Sequence, residues 1–166
     1  MEIEKKFRVQ YLPEQLEQYP CRVIEQAYLC TKPTVRIRRS NEDYILTLKD
    51  KQGVQELHAA GAGIINREIE IPLTREAYEH LKTKADGYLI EKRRYLIPLT
   101  DGLTAELEVF QGRLTGLCFA EVEFPDVETA KEFRPPEWLG QEVSEDRRYR
   151  NSVLSGLESY EEAFFS

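Results

Sequence analysis

Histidine is nearly absent from this chain, and His58 and His80 are its only two. Neither belongs to a His-Glu-x-x-His run, so zinc proteolysis has no ligand set, and no Gly-x-Ser-x-Gly turn offers a serine nucleophile. His58 falls in a predicted loop and His80 on a predicted helix, so neither is placed as a general base. Cysteine is sparse too. Cys21, Cys30 and Cys118 lack metal-ligand spacing, and an odd count is expected for reduced, buried thiols of a cytosol. No apolar run is long enough to span a bilayer, and charge from the second residue onward argues against a signal peptide. Positive charge is in deficit: 23 Lys and Arg face 30 Asp and Glu, for a net charge of −7. That balance argues against a nucleic-acid or anionic membrane surface, but not against a small anionic ligand met by a local cluster. The glycines of Ala59-Ala60-Gly61-Ala62-Gly63 lead into no Gly-Lys-Ser/Thr, so they form no nucleotide P-loop, and a mobile linker is expected there. A soluble cytoplasmic protein with one domain over residues 1–166 is expected, as a monomer or homodimer.

What the chain does have is charge, in 32% of its residues, and the charge is patterned. Alternate side chains of a strand share a face. In residues 1–9 one face carries Glu2, Glu4 and Lys6, while Met1, Ile3, Lys5, Phe7 and Val9 share the other. The same device recurs as Arg36 and Arg38 about Ile37, Glu68 and Glu70 about Ile69, and Lys92 and Arg94 about Arg93. Glu106 and Glu108 flank Leu107, and Glu121 and Glu123 flank Val122. Like charges side by side in a strand cost stability, and a merely soluble face would mix Thr, Ser, Lys and Glu. Paired carboxylates hold hard divalent cations, and paired Arg and Lys hold phosphates. A face presenting both suits a metal–polyphosphate ligand.

Along the chain, residues 13–19 read as a short helix between prolines, and strands follow at 22–29, 34–40 and 44–49, the last two joined by a turn at 41–43. Residues 50–53 read as a turn, and 65–73 as a strand. Thr74 caps a helix with Tyr78, Leu81 and Ala85 on one face, ended by Asp86-Gly87. Strands at 88–97, 103–110 and 117–124 precede a helix capped by Asp126, with Val127, Ala130 and Phe133 inward. Trp138, the single tryptophan, is expected as a structural anchor. Ser144 is expected to cap a helix running through Asn151, and residues 157–165 to pack on the outside of the sheet or on a partner. Many strands and few helices indicate an antiparallel α+β fold.

Glu2-Ile3-Glu4-Lys5-Lys6 resembles the opening Glu-x-Glu-x-Lys signature of the CYTH, or triphosphate tunnel metalloenzyme, superfamily. The ordered set Arg36-Ile37-Arg38, Thr47-Leu48-Lys49, Glu68-Ile69-Glu70, Glu91-Lys92-Arg93-Arg94-Tyr95, Glu106-Leu107-Glu108 and Glu121-Val122-Glu123 extends the likeness, as does the tail 145–151. It spans nearly the whole chain and is most like the compact bacterial members. The resemblance implies an eight-stranded antiparallel closed barrel, a tunnel with a charged interior and helices outside. It also implies metal-dependent hydrolysis of a linear triphosphate, with inorganic tripolyphosphate favoured. On that basis Glu2, Glu4 and Glu123, with Glu121 and Glu108 next, are expected to hold Mg2+ or Mn2+. Glu4, Lys6, Glu70, Glu106 and Glu108 are the catalytic candidates, with Glu68 beside them as a second-metal or water-orienting carboxylate. Lys6, Arg36, Arg38, Lys49, Lys92 and Arg94 are expected to grip phosphate oxygens, with Arg147 or Arg148 reaching in from one end. The cyclase branch of the superfamily has a His-Phe pair upstream of the first motif, which is missing here. Thiamine or nucleoside triphosphatase, class IV adenylate cyclase and a non-catalytic polyphosphate-binding module remain the alternatives, beside a structural protein whose charge ladders are only ion pairs.

Overall fold

A computed structural model describes residues 1–50 and 61–165. The expected alternation becomes a single antiparallel sheet. Its strands are β1 (Glu2–Val9), β2 (Cys21–Thr31), β3 (Thr34–Ser40), β4 (Asp43–Asp50), β5 (Ile64–Pro72), β6 (Asp86–Pro98), β7 (Thr104–Gln111), β8 (Cys118–Glu123) and β9 (Leu139–Glu142). The order is β5-β4-β3-β2-β6-β7-β8-β1, with β9 added on β1. Pairing of Glu2 with Asn66, Ile3 with Ile65 and Glu4 with Ile64 then joins β1 to β5 and closes eight strands into a barrel. One edge of β1 is shared along its length: β5 takes Glu2 to Glu4, and β9 takes Phe7 and Val9.

Closure puts the charged face inside and the apolar face outside, where the helices cover part of it and leave Val23, Ile69, Ile71 and Leu89 exposed. Helix α2 (Val127–Glu132), capped by Asp126 through Thr129 N–H, covers β1, β7 and β8. There Ile3, Phe7, Leu107, Ala120 and Val122 pack with Ala130, and Phe133 meets the rings of Phe7 and Phe124 at 5.8 and 5.2 Å. Trp138 packs at the margin of the same cluster, as an anchor would. Helix α1 (Arg75–Lys82), capped by Thr74, covers the other side and buries Tyr78 against Ala27 and Ile37, with Leu81 and Ala85 alongside.

Four local expectations are corrected. Residues 13–19 form only a 3-10 turn at Leu16–Gln18. Ser144 caps nothing: its hydroxyl accepts from Lys6 N–H and donates to Glu142, while Asp146 caps the 3-10 turn Arg147–Tyr149 and α3 begins later (Asn151–Leu154). The three thiols are free but half-buried rather than buried. Burial raises the Cys118 pKa. The expected linker and the turn at 50–53 lie partly, and His58 wholly, outside the described residues, but Ala62 is buried in the core and Gly63 packs against β1.

The largest correction concerns the chain's end. Inward parity on β7 runs Glu106, Glu108, Phe110, and on β8 it runs Glu123, Glu121, Phe119. The barrel interior is therefore charged over most of its length and aromatic at one end. Tyr28, Ile90, Phe110 and Phe119 there receive Tyr149, Leu154 and Phe165. Residues 149–165 thus plug one end of the barrel instead of covering its outside. No helix among the described residues is long and apolar enough to cross a membrane.

Gly63 shows how tightly closure is held. Its φ is +81°, and a Cβ there would collide with the Glu4 carbonyl oxygen. Gly63→Ala should lower the unfolding free energy by more than about 1 kcal/mol. Gly61→Ala, with open space around it, should cost less. Urea unfolding of the two variants checks the order.

Candidate active site

The charged part of the interior is one cavity of about 1270 Å³, and the C-terminal segment forms part of its wall. Carboxylates of Glu2, Glu4, Glu68, Glu70, Glu106, Glu121 and Glu123 line it, and so do Lys6, Arg36, Arg38, Lys49, Arg94 and Arg147. Strand register decides which charges meet. Lys49 lies across from Glu68, Arg94 from Glu108 and Lys6 from Glu121. These neighbours form ion pairs, Lys49 to Glu68 at 3.6 Å, Arg94 to Glu108 at 2.8 Å and Lys6 to Glu121 at 3.7 Å, and Lys49 also reaches Glu2 at 2.9 Å and Arg94 reaches Glu106 at 3.0 Å.

The same register also sets like against like. Glu4 faces Glu123, and Glu106 faces Glu121. Carboxylates directly opposite one another destabilise a sheet. Burial, followed by the nearby Glu121 and Glu2, raises the Glu4 pKa well above the usual carboxylate range. Burial and a bond to Glu68 raise Glu2, burial and then Glu2 and Glu68 raise Glu123, and burial raises Glu106 despite Arg94. Glu121 behaves oppositely: burial would raise it, but Lys6, Lys92 and Arg94 hold it well below the usual range. Burial and Arg36 work against the Lys49 ammonium, yet Glu4, Glu2 and Glu68 hold its pKa above the ordinary value.

Arg36 and Arg38 occupy the opposite situation. The cross-strand partners of Arg36 are Thr47 and Tyr28 and those of Arg38 are Ile45 and Gln26, all neutral. Arg36 reaches Thr47 Oγ1 at 3.4 Å, and its buried Nε has no acceptor. Arg38 Nε donates to Gln26 Oε1 at 2.9 Å. Burial, with Arg36 and Arg94 close by, lowers the Arg38 pKa to about 9. Neither guanidinium makes a salt bridge among the described residues.

Three expected site residues are not at the cavity wall. Lys92 and Glu108 are both fully buried, and Lys92 Nζ meets Glu108 Oε1 at 3.0 Å. The carboxylate also takes Arg94 Nη2 at 2.8 Å. Burial would raise the Glu108 pKa, but Arg94 and Lys92 hold it low. Burial lowers the Lys92 pKa to about 7 in spite of Glu108, with Arg38 and Arg94 adding to the effect. Glu108 is thus committed to two cations, which removes it as a free metal ligand, and Lys92 stands behind it rather than facing a phosphate. Arg148 turns from the cavity to Asp146 and the Phe164 carbonyl, and of that pair Arg147 lines the wall. Arg150, Asn151 and Ser152 also line it and were not anticipated. The tail motif held Arg150 and Asn151, but only the inward-packed C-terminal segment shows that they face the tunnel. His80 is exposed on α1, away from the lining residues.

The lining donors available to a cation are carboxylate oxygens, the chemistry that Mg2+ or Mn2+ prefers. Among the described residues no three such side chains already stand at ligand distances. The fit therefore rests on the donor set and on the uncompensated carboxylates, Glu4 above all.

No family model matches the chain. Over 159 residues it is 38% identical to a protein of Nitrosomonas europaea named inorganic triphosphatase, covering 93% of this chain and 96% of that one. A protein of the same name from Acetivibrio thermocellus is 37% identical over 121 residues, 73% of this chain and 70% of that one. The crystal structure of the inorganic triphosphatase NE1496 superposes with a TM-score of 0.67 at 34% identity, covering 96% and 97% of the two chains.

Two kinds of interior carboxylate should separate in unfolding experiments. A raised folded-state pKa gives stability that is complete below the unfolded value and is lost as pH rises through the folded one. The ligand-free protein should therefore lose the Glu4 contribution on going from acid toward neutral pH, and Glu4→Gln should be the more stable protein at pH 7. Glu108, held low, contributes stability above the unfolded pKa that is lost in acid. Glu108→Gln, leaving Lys92 and Arg94 uncompensated, should cost about 3 kcal/mol at pH 7. Urea titrations from pH 4 to pH 8 measure both signs.

Proposed function

The chain belongs to the inorganic triphosphatase family, and from that premise we propose that it hydrolyses inorganic tripolyphosphate inside its barrel with the help of Mg2+ or Mn2+. The observation that carries the reading is the segregation of uncompensated charge within one cavity. Two guanidiniums with neutral partners, Arg36 buried and Arg38 half-buried, stand on β3, and Glu4, raised by burial and by Glu121 and Glu2, is set against Glu123 across β1 and β8. An anion alone would relieve the first group and a cation alone the second. A metal–triphosphate relieves both.

In this reading Arg36 and Arg38 take the phosphate oxygens, with Lys6, Lys49, Arg94 and Arg147 around them. Glu2, Glu4, Glu121 and Glu123 hold the cation, which when bound would neutralise charge on the phosphoryl group. Phosphoryl transfer needs alignment and charge stabilisation more than covalent work by the protein. Water attacks a terminal phosphorus, the new P–O bond forms as the bridging P–O bond breaks, and pyrophosphate leaves. The water's proton passes to a carboxylate of the wall, with Glu70 and Glu106 the candidates. The guanidiniums, already out of water, stabilise the leaving chain without reorganising. A cytoplasmic location is part of the proposal, supported by thiols that form no disulfide.

Phosphate release with Mg2+ or Mn2+ over tripolyphosphate, thiamine triphosphate and ATP tests the substrate. Tripolyphosphate is expected to turn over fastest, and faster release from ATP would overturn that choice. Binding without turnover of any of the three would make the tunnel a polyphosphate-binding module. Arg36→Ala should weaken tripolyphosphate binding by about 1.5–3 kcal/mol, the worth of a charge-assisted hydrogen bond, as read by calorimetry. Glu4→Gln should abolish metal-dependent release while leaving the fold intact.

A further inference from the structure

One neutral side chain from the C-terminal segment, Asn151 at the start of α3, sits among the charged residues of the wall. Its Oδ1 accepts from Gln26 Nε2 at 3.1 Å and from Lys92 Nζ at 3.2 Å. Gln26 in turn accepts at Oε1 from Arg38 Nε. The direction of this relay is set by chemistry. A guanidinium and an ammonium only donate, whereas a carboxamide has one accepting end and one donating end. Arg38 therefore turns Gln26 with its oxygen toward β3 and its nitrogen toward Asn151. Lys92 and Gln26 together turn the Asn151 oxygen toward themselves. The Asn151 Nδ2 is left with no protein acceptor among the described residues, on a side chain that borders the cavity.

Gln26 is fully buried. A buried amide costs stability unless both ends are bonded, so an apolar side chain would be the cheaper filling for that position. Its two bonds do what no apolar residue could: they tie the guanidinium of Arg38 to the polarity of Asn151.

We infer that Asn151 binds substrate by donating from Nδ2 to a phosphate oxygen, and that Gln26 is the positioning residue that sets this polarity. The inference rests on the triphosphatase reading above. An amide donor suits this wall because it adds a hydrogen bond to the anion without adding another cation beside Arg36 and Arg38. It also makes the C-terminal plug part of the site: the segment that fills one end of the barrel supplies a contact to the ligand.

Asn151→Asp tests the donor with little change of volume. Its oxygens still accept from Gln26 and Lys92, so the fold is kept, but an acceptor replaces the donor facing phosphate. The melting temperature should be unchanged or higher, and tripolyphosphate should bind about tenfold to a hundredfold more weakly. In the wild type the Asn151 side-chain amide protons, assigned by their loss in that variant, should move downfield in the NMR spectrum when tripolyphosphate is added. Gln26→Met should raise KM severalfold with a smaller effect on kcat. Wild-type affinity in Asn151→Asp, or an unmoved amide resonance, would overturn the Asn151 contact, and an unchanged KM in Gln26→Met would overturn the role of Gln26. A wild-type protein that neither binds nor hydrolyses tripolyphosphate would instead remove the triphosphatase reading itself.

Discussion

Closing the sheet on its charged face is the constraint on which the rest of the molecule depends. The β1–β5 pairing removes a ladder of carboxylates and cations from bulk water, and desolvated charge is tolerated only where it is paired or bonded. The barrel meets that demand unevenly. Around Glu108 compensation is complete, since one carboxylate serves Lys92 and Arg94. Around Glu4 and Arg36 it is not, and the cross-strand register guarantees that it is not. The first arrangement holds the wall together, and the second leaves charge that the proposed metal–triphosphate would neutralise.

The barrel's polarity along its axis follows from the same side-chain alternation. The inward positions that carry glutamate in the middle of β7 and β8 carry Phe110 and Phe119 at one end, and an apolar interior must be filled. Tyr149, Leu154 and Phe165 fill it. The plug is tied to charge as well as to rings, because Lys6 Nζ donates to the Tyr149 carbonyl at 2.6 Å while lying 4.7 Å from the Phe119 ring centre. One cation therefore touches Glu121 of the wall and the backbone of the plug, which links the site to the closed end.

Period-two alternation is a local property, so eight of the nine strands, the charged and apolar faces along them and the α1 and α2 caps were legible from residues alone, whereas the short β9 (Leu139–Glu142), with no such alternation, was not. Closure was legible only through resemblance, because pairing of β1 with β5 is a long-range event without a local signature. Depth was not legible. Lys92 and Arg94 share a face and a charge, yet one is sealed behind Glu108 and the other borders the cavity. Parity says which way a side chain points, not how far from the opening it lies or whether a partner has already claimed it. The place of the C-terminal stretch is not legible for a related reason: its aromatics require an apolar surface, and the one that takes them is the inward end of β7 and β8 at Phe110 and Phe119. Asn151 is not legible either, because its place follows from hydrogen bonds to Gln26 and Lys92, more than fifty residues away in the chain.

The central claim is that anion-seeking and cation-seeking charges in one cavity wait for a single composite ligand. Thermal melts with Mg2+ alone, tripolyphosphate alone, and both together, recorded on a variant that binds but does not turn over, test it most directly. Each component alone relieves half of the imbalance, so together they should raise the melting temperature by clearly more than the sum of their separate effects, as required when two ligands favour each other's binding. Shifts that merely add, or no shift with both present, would contradict the claim.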